Sequence, residues 1–152
     1  MTMKTNIFYL LIMTFLYCSC DKDSEIKTLN KQDLLYSWEL DYFINKSTGE
    51  TENLPDTYSA GITFHGEDCM NVLGPCNGGP GKYELIGNKI KVTKLAMTER
   101  GCNILGYETL FTGNLSGTYI ISGEKLTIDS DNDFNLVFSR VDSTKVYDCY
   151  DF

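Results

Sequence analysis

From Trp38 to Val141 the chain is written in short runs in which apolar residues return at every second position, and each run stops at a glycine, asparagine or aspartate. Successive side chains of a strand point to opposite faces, so such runs are strands with one buried face. Trp38, Leu40, Tyr42 and Ile44 alternate with Glu39, Asp41, Phe43 and Asn45, which predicts a strand with Trp38 as its core anchor. Lys46 to Tyr58 is polar, holds Gly49 and Pro55, and reads as a loop. Ala60, Ile62 and Phe64 alternate with Gly61, Thr63 and His65 and lead into the turn Gly66-Glu67-Asp68. Cys69 to Leu73 is a third strand. After a Gly/Pro-rich turn, Lys82 to Ile86 and Lys89 to Leu95 flank Gly87-Asn88, a two-residue hairpin signal.

The period changes after Thr98. Ile104, Tyr107, Phe111 and Leu115 fall at helical spacing, with Leu105 and Leu110 filling the stripe and Asn103 at the N-cap position; the helix ends near Gly113. Three strands follow, Gly117 to Ser122, Glu124 to Ile128 and Phe134 to Val141, separated by Ser122-Gly123 and by the acidic run Asp129 to Asp133. Strands, one helix, then strands predict an α+β fold: a curled antiparallel sheet or open β-barrel with one helix packed across it.

Ahead of this domain lies a different composition. Lys4 precedes an apolar run from Ile7 to Tyr17, too short for the roughly 20 residues that span a bilayer. Leu16-Tyr17-Cys18-Ser19-Cys20 then reads as a lipoprotein signal, with residues 1–19 removed and Cys20 acylated; Tyr17 stands where such signals usually carry Leu or Val. Residues 20–33 become the lipidated cysteine and its tether, of which Asp21 to Asn30 is charged and without periodicity. The domain is expected over 34–142, with 143–152 a C-terminal extension. Asp21, Asp23 and Glu25 behind the cysteine resemble sorting signals of surface-directed lipoproteins. The expected location is therefore the cell envelope, as an outer-membrane lipoprotein facing the periplasm or the surface.

Charge narrows the partners. A formal net charge of −8 with no Lys/Arg cluster argues against nucleic acid and against an anionic lipid surface. Beyond Cys18 and Cys20 four cysteines remain, Cys69, Cys76, Cys102 and Cys149, an even number that in an oxidising compartment reads as two disulfides with three pairings open.

Gly74 to Cys102 carries a more specific pattern: Cys76-Asn77, the strand Gly81-x-Tyr83-x-Leu85, the run Leu95-Ala96-Met97-Thr98, and Cys102. With an acidic helical segment around Glu108 and Tyr119…Gly123-x-x-Leu126-x-Ile128, it resembles the META domain family, whose bacterial members include the heat-shock protein HslJ, over roughly Ser37 to Arg140. The resemblance implies a bridge between Cys76 and Cys102, which leaves Cys69 with Cys149; Cys69 with Cys76 is the local alternative. It also implies a non-enzymatic envelope protein that supports the envelope under stress by binding a protein partner or an apolar ligand within the barrel. Asn77, Thr98 and Arg100 then line a shared binding surface, or else Asn77 takes a left-handed turn conformation and Thr98 bonds the backbone at the strand-to-helix corner.

The competing class is a small envelope hydrolase or processing accessory with carboxylate chemistry. His65 is the sole histidine, so a Ser-His-Asp or Cys-His device could be built only with it and no second histidine is there for a metal triad; its setting at a strand end beside Gly66, Glu67 and Asp68 reads as surface. Gly74 to Lys82 resembles a phosphate loop but has Cys76 and Tyr83 where that loop needs glycine and Ser/Thr. Asp129, Asp131 and Asp133 match the first three positions of a calcium loop, yet Phe134 and Arg140 replace its glycine and bidentate glutamate, so an acidic hairpin turn is expected. No catalytic residue, metal ligand or cofactor is expected.

Overall fold

The computed structural model describes residues 31–66 and 68–142; the signal segment, Cys20, the tether from Asp21 to Asn30 and the extension with Cys149 lie outside them. The elements are α1 (Lys31–Leu34), β1 (Ser37–Asn45), β2 (Thr51–Glu52), β3 (Gly61–His65), β4 (Cys69–Leu73), β5 (Gly78–Ile86), β6 (Lys89–Leu95), α2 (Leu105–Gly113), β7 (Gly117–Ser122), β8 (Lys125–Ser130) and β9 (Phe134–Val141). α1 takes up the last residues of the segment expected as tether, and Leu34 within it is fully buried.

Every strand pair is antiparallel, in the order β2-β1-β3-β4-β5-β6-β7-β8-β9, and β9 returns to pair with β1 from Ser37 to Asn45. That last ladder closes β1 and β3 to β9 into an eight-stranded barrel. Closure removes the edges that would template aggregation. The other side of β1 is shared: β3 takes Ser37 to Glu39 and the two-residue β2 takes Phe43 and Ile44. The predicted α+β barrel with one substantial helix is what the described residues form, closed rather than open. No helix among the described residues is long and apolar enough to cross a membrane.

Two departures from the expected pattern have local causes. In β1 the ladder to β9 slips between Leu40 and Tyr42, a bulge that shifts the side-chain phase by one. Leu40 is inward before it and Phe43, 0% exposed, after it, while Tyr42 and Ile44 are only half-buried. The extra residue, Asp41, accepts from the Ser139 hydroxyl at 2.8 and 2.9 Å and meets the Lys125 ammonium at 2.8 Å. A charged residue with partners outside the barrel is what holds the slip. Secondly, β5 begins at Gly78, so half of the expected Gly/Pro turn is strand. A Cβ at Gly79 would collide with the Ala96 carbonyl, so the glycine there permits two backbones to touch.

The interior is one continuous apolar cluster that includes Trp38, Phe43, Phe64, Tyr83, Phe111, Tyr119, Leu126, Ile128, Leu136 and Phe138. The Trp38 indole N–H donates to the Leu34 carbonyl at 3.1 Å, which satisfies its polar atom and ties α1 to the core.

The barrel has two distinct ends. At one lie α1 and the turns after β3, β5 and β7; Lys31 pairs with Asp68 there at 2.9 Å. At the other lie the turns after β1, β4 and β8, and across them runs α2. Phe111, 0% exposed, meets Phe138 of β9 with ring centroids 6.4 Å apart, and Tyr107 meets Phe43 of β1 at 6.5 Å. The helix opens at Ile104 without a side-chain cap, so Asn103 does not fill the expected role, and Leu105 is 59% exposed rather than part of the buried stripe. Asn114 closes α2 instead: its amide donates to the Leu110 carbonyl at 2.7 Å, while its oxygen accepts from the Ser130 hydroxyl at 2.9 Å and the Phe134 N–H at 3.3 Å.

Candidate functional site

The residues singled out by sequence meet at the α2 end. The turn after β4 is closed by the Gly74 N–H donating to the Asn77 carbonyl at 2.7 Å. Behind it sits Glu108 of α2, 8% exposed, with Oε2 accepting from the N–H groups of Cys76 at 2.9 Å and Asn77 at 3.3 Å. Oε1 is buried without a hydrogen-bond partner, and a Cβ at Gly74 would stand 2.5 Å from it. Gly74 is therefore fixed by the carboxylate. A buried carboxylate needs such partners, because its water shell is lost on folding.

Asn77 is itself 8% exposed. Its side-chain oxygen accepts from the Arg100 N–H at 2.6 Å and the Thr98 hydroxyl at 3.3 Å, and its amide donates to the Arg100 carbonyl at 3.4 Å. The Thr98 oxygen accepts in turn from the Gly78 N–H at 3.2 Å, and the Thr98 N–H donates to the Gly78 carbonyl at 3.1 Å. Cys76 and Cys102 are bridged, with Cα atoms 6.1 Å apart, which overturns the alternative of Cys69 with Cys76. The pairing of Cys69 with Cys149 lies outside the described residues.

Asn77, Thr98 and Arg100 are thus brought together, but Asn77 and Thr98 spend their polar groups on one another and on backbone, and Arg100 joins through its main chain. Asn77 is not left-handed: among non-glycine residues described, the positive φ belongs to Asp68, at 64°. The arrangement can clasp three chain segments. It offers no buried acid and base side by side.

The remaining candidates resolve in the same direction. His65 is half-buried rather than a plain surface residue: its Nε2 lies 2.9 Å from the Asn71 amide nitrogen, and burial lowers its pKa, favouring the neutral ring that accepts that bond. Asp129 pairs with Lys46 and Asp131 with Lys89, each at 2.8 Å, so the acidic turn is a hairpin held by lysines. Among the described residues no group of three or more His, Cys, Asp or Glu is placed to hold a metal ion. At the α2 surface the Tyr107 hydroxyl bonds Glu52 of β2, and burial, then the Glu52 charge, raise its pKa.

Glu108 is the residue that reading by periodicity passes over. It stands three positions before Phe111, the spacing that puts two side chains on one helix face, so the same wheel that buries Phe111 also turns Glu108 inward.

Fold and site together define a class: a small closed β-barrel, plugged at one end by a helix and stapled there by a disulfide and a buried carboxylate. The chain belongs to the META domain family, whose model matches residues 32–143. That family is in general envelope-associated, of the HslJ type. Among solved structures the chain is similar to an NMR structure of a protein from Burkholderia xenovorans, with TM-score 0.60 and 21% identity over 75% of this chain and 86% of that one. A second NMR structure of a protein gives TM-score 0.54 and 15% identity over 73% and 94%. Both likenesses concern the fold. No curated protein matches the chain.

Proposed function

We propose that this chain is an envelope lipoprotein, held at a membrane through Cys20, whose META domain works without catalysis by binding a protein partner on the outside of the barrel, in support of the envelope under stress. The observation that carries this reading is the filled space beneath α2. Phe43, Phe111, Leu136 and Phe138 are each 0% exposed there, so the volume that an apolar cargo would need is occupied by the protein's own side chains.

Glu108 supports the same reading against carboxylate chemistry, since one of its oxygens is bound to backbone and the other is buried behind Gly74. Two large apolar side chains stand in solvent at this end, Leu73 at 58% and Leu105 at 59%, one at the end of β4 and one at the start of α2. Both elements are held to the clasped turn, so the pair is carried on rigid backbone, as a binding anchor requires.

A photo-crosslinking amino acid placed at Leu105, and separately at Leu73, in the full chain tests the reading. It predicts a discrete protein adduct, at one mass, from at least one of the two positions. Failure of both positions to give any protein adduct while the variants fold and reach the membrane would sink it.

A further inference from the structure

The remaining exposed large apolar side chains lie toward the opposite end of the barrel. Ile86, 62% exposed, is the last residue of β5 before the Gly87-Asn88 turn; Ile120, 56% exposed, follows Tyr119, whose N–H bonds the Asn88 carbonyl. The two share an outer face: Ile86 pairs with Lys89, Lys89 pairs with Thr118, and Ile120 is two residues further along the same side of β7. Tyr36, 39% exposed, stands at this end too, with the Arg140 guanidinium 4.1 Å from its ring centroid.

Three ion pairs lie at this end, beside the further acidic residues Asp33 of α1 and Asp142 after β9. Lys31 meets Asp68 at 2.9 Å, Arg140 meets Glu124 at 3.0 Å and Lys125 meets Asp41 at 2.8 Å. In a chain of net charge −8, this rim has no surplus of Lys or Arg and carries apolar tips. A neutral surface is the partner that fits it; an anionic one meets no surplus of positive charge there.

The route of the chain says which neutral surface. α1 enters the barrel at this end, and between Cys20 and Lys31 there are ten residues, Asp21 to Asn30, which reach at most about 35 Å when extended and far less as a coil. A lipid on Cys20 therefore keeps this end within reach of the bilayer at high effective concentration, so that a contact too weak to recruit a free protein is still made.

We propose that the α1 end of the barrel rests on the uncharged headgroup layer of the bilayer, with Ile86 and Ile120 as its points of contact and Tyr36 at the interface, and that α2 and the Cys76–Cys102 clasp consequently face away. This orientation rests on the reading of Cys20 as the anchor. It places Leu73 and Leu105 on the side open to a partner, while an aliphatic side chain or a tyrosine at the rim gains from the boundary between water and acyl chains.

The test uses the full lipidated chain in phosphatidylcholine vesicles whose acyl chains carry bromine, a short-range quencher of tryptophan. Ile86→Trp, Ile120→Trp and Leu105→Trp are compared, each against the signal of the buried Trp38 alone. The orientation predicts at least twofold quenching of the added emission at positions 86 and 120 and none at 105. Vesicles that carry the protein yet leave 86 and 120 unquenched, or quench 105 equally, overturn the orientation and leave the anchor standing. A full chain that does not float with vesicles at all, or a Cys20→Ser variant that floats as well as the parent, overturns the anchor and the orientation with it. Replacing half of the lipid by phosphatidylglycerol is expected to weaken quenching; stronger quenching would contradict the neutral-surface argument.

Discussion

Removing the Glu108 carboxylate should cost this domain a large part of its stability. In Glu108→Ala the N–H groups of Cys76 and Asn77 lose their acceptor at a position where Asn77 is 8% exposed and Gly74 is buried, so water reaches them poorly. An unsatisfied buried donor costs roughly 1–3 kcal/mol, and two of them, eased by partial entry of water into the space left behind, come to about 3 kcal/mol. With an unfolding entropy of about 2.1 cal/mol/K per residue over roughly 110 residues, that loss lowers Tm by about 13 °C. Glu108→Gln keeps one oxygen as acceptor and removes the charge assistance, so it should lose only about 1 kcal/mol. Urea denaturation at neutral pH with the disulfide intact measures both. A Glu108→Ala domain within about 0.5 kcal/mol of the parent would show that the carboxylate does not hold the turn.

Opening the Cys76–Cys102 bridge, a sequence separation of 26, should cost about 3 kcal/mol, chiefly by freeing the unfolded chain, and peptide mapping without reduction should recover the two cysteines linked. Phe111→Ala should destabilise by about 3–5 kcal/mol in a melt, because the ring is fully buried under α2 with Phe138 against it. Gly79→Ala should unfold or strongly destabilise the domain, whereas alanine at Gly106, where an added Cβ meets nothing, should be tolerated; equal melting temperatures for the two would contradict the close approach of β5 to Ala96. The Tyr83 phenol is pushed up to about 12 by burial, with Asp68 and Tyr119 adding to it, and donates to the His65 carbonyl at 3.1 Å. Folding therefore favours its neutral form, so its contribution to stability is complete below pH 10 and is lost as pH rises toward 12; absorbance titration should lose its latest phenolate step in Tyr83→Phe.

Much of the fold is legible because a barrel wall has to alternate. Ala60 to Phe64, Lys89 to Leu95 and Phe134 to Val141 show their strands directly, and Gly87-Asn88 marks its hairpin. Closure is not legible, since it depends on β9 meeting β1 across about a hundred residues and on the bulge at Asp41, whose partners Ser139 and Lys125 are equally remote. An alternating pattern read past that bulge assigns Tyr42 and Ile44 to the core in place of Phe43. The start of β5 is hidden for a different reason: glycines that permit close packing look the same in sequence as glycines that permit a turn. At the site, the pairing of Cys76 with Cys102 is carried by the family resemblance, whereas the role of Asn77 and Thr98 turns on which backbone atoms stand opposite them. Glu108 is silent because charge argues for solvent; only its helical position beside Phe111 argues otherwise, and hydrogen bonds from a turn some thirty residues upstream decide the matter.

The most direct test of a filled barrel that works by its outer surface is native mass spectrometry of the domain from Asp21 onward, exported so that its disulfides form, before and after exposure to an envelope lipid extract. The side chains packed beneath α2 predict the bare protein mass in both samples. A stoichiometric mass increment that survives gentle ionisation and vanishes on unfolding would contradict the account, because it would require an apolar cargo where Phe43, Phe111 and Phe138 now stand.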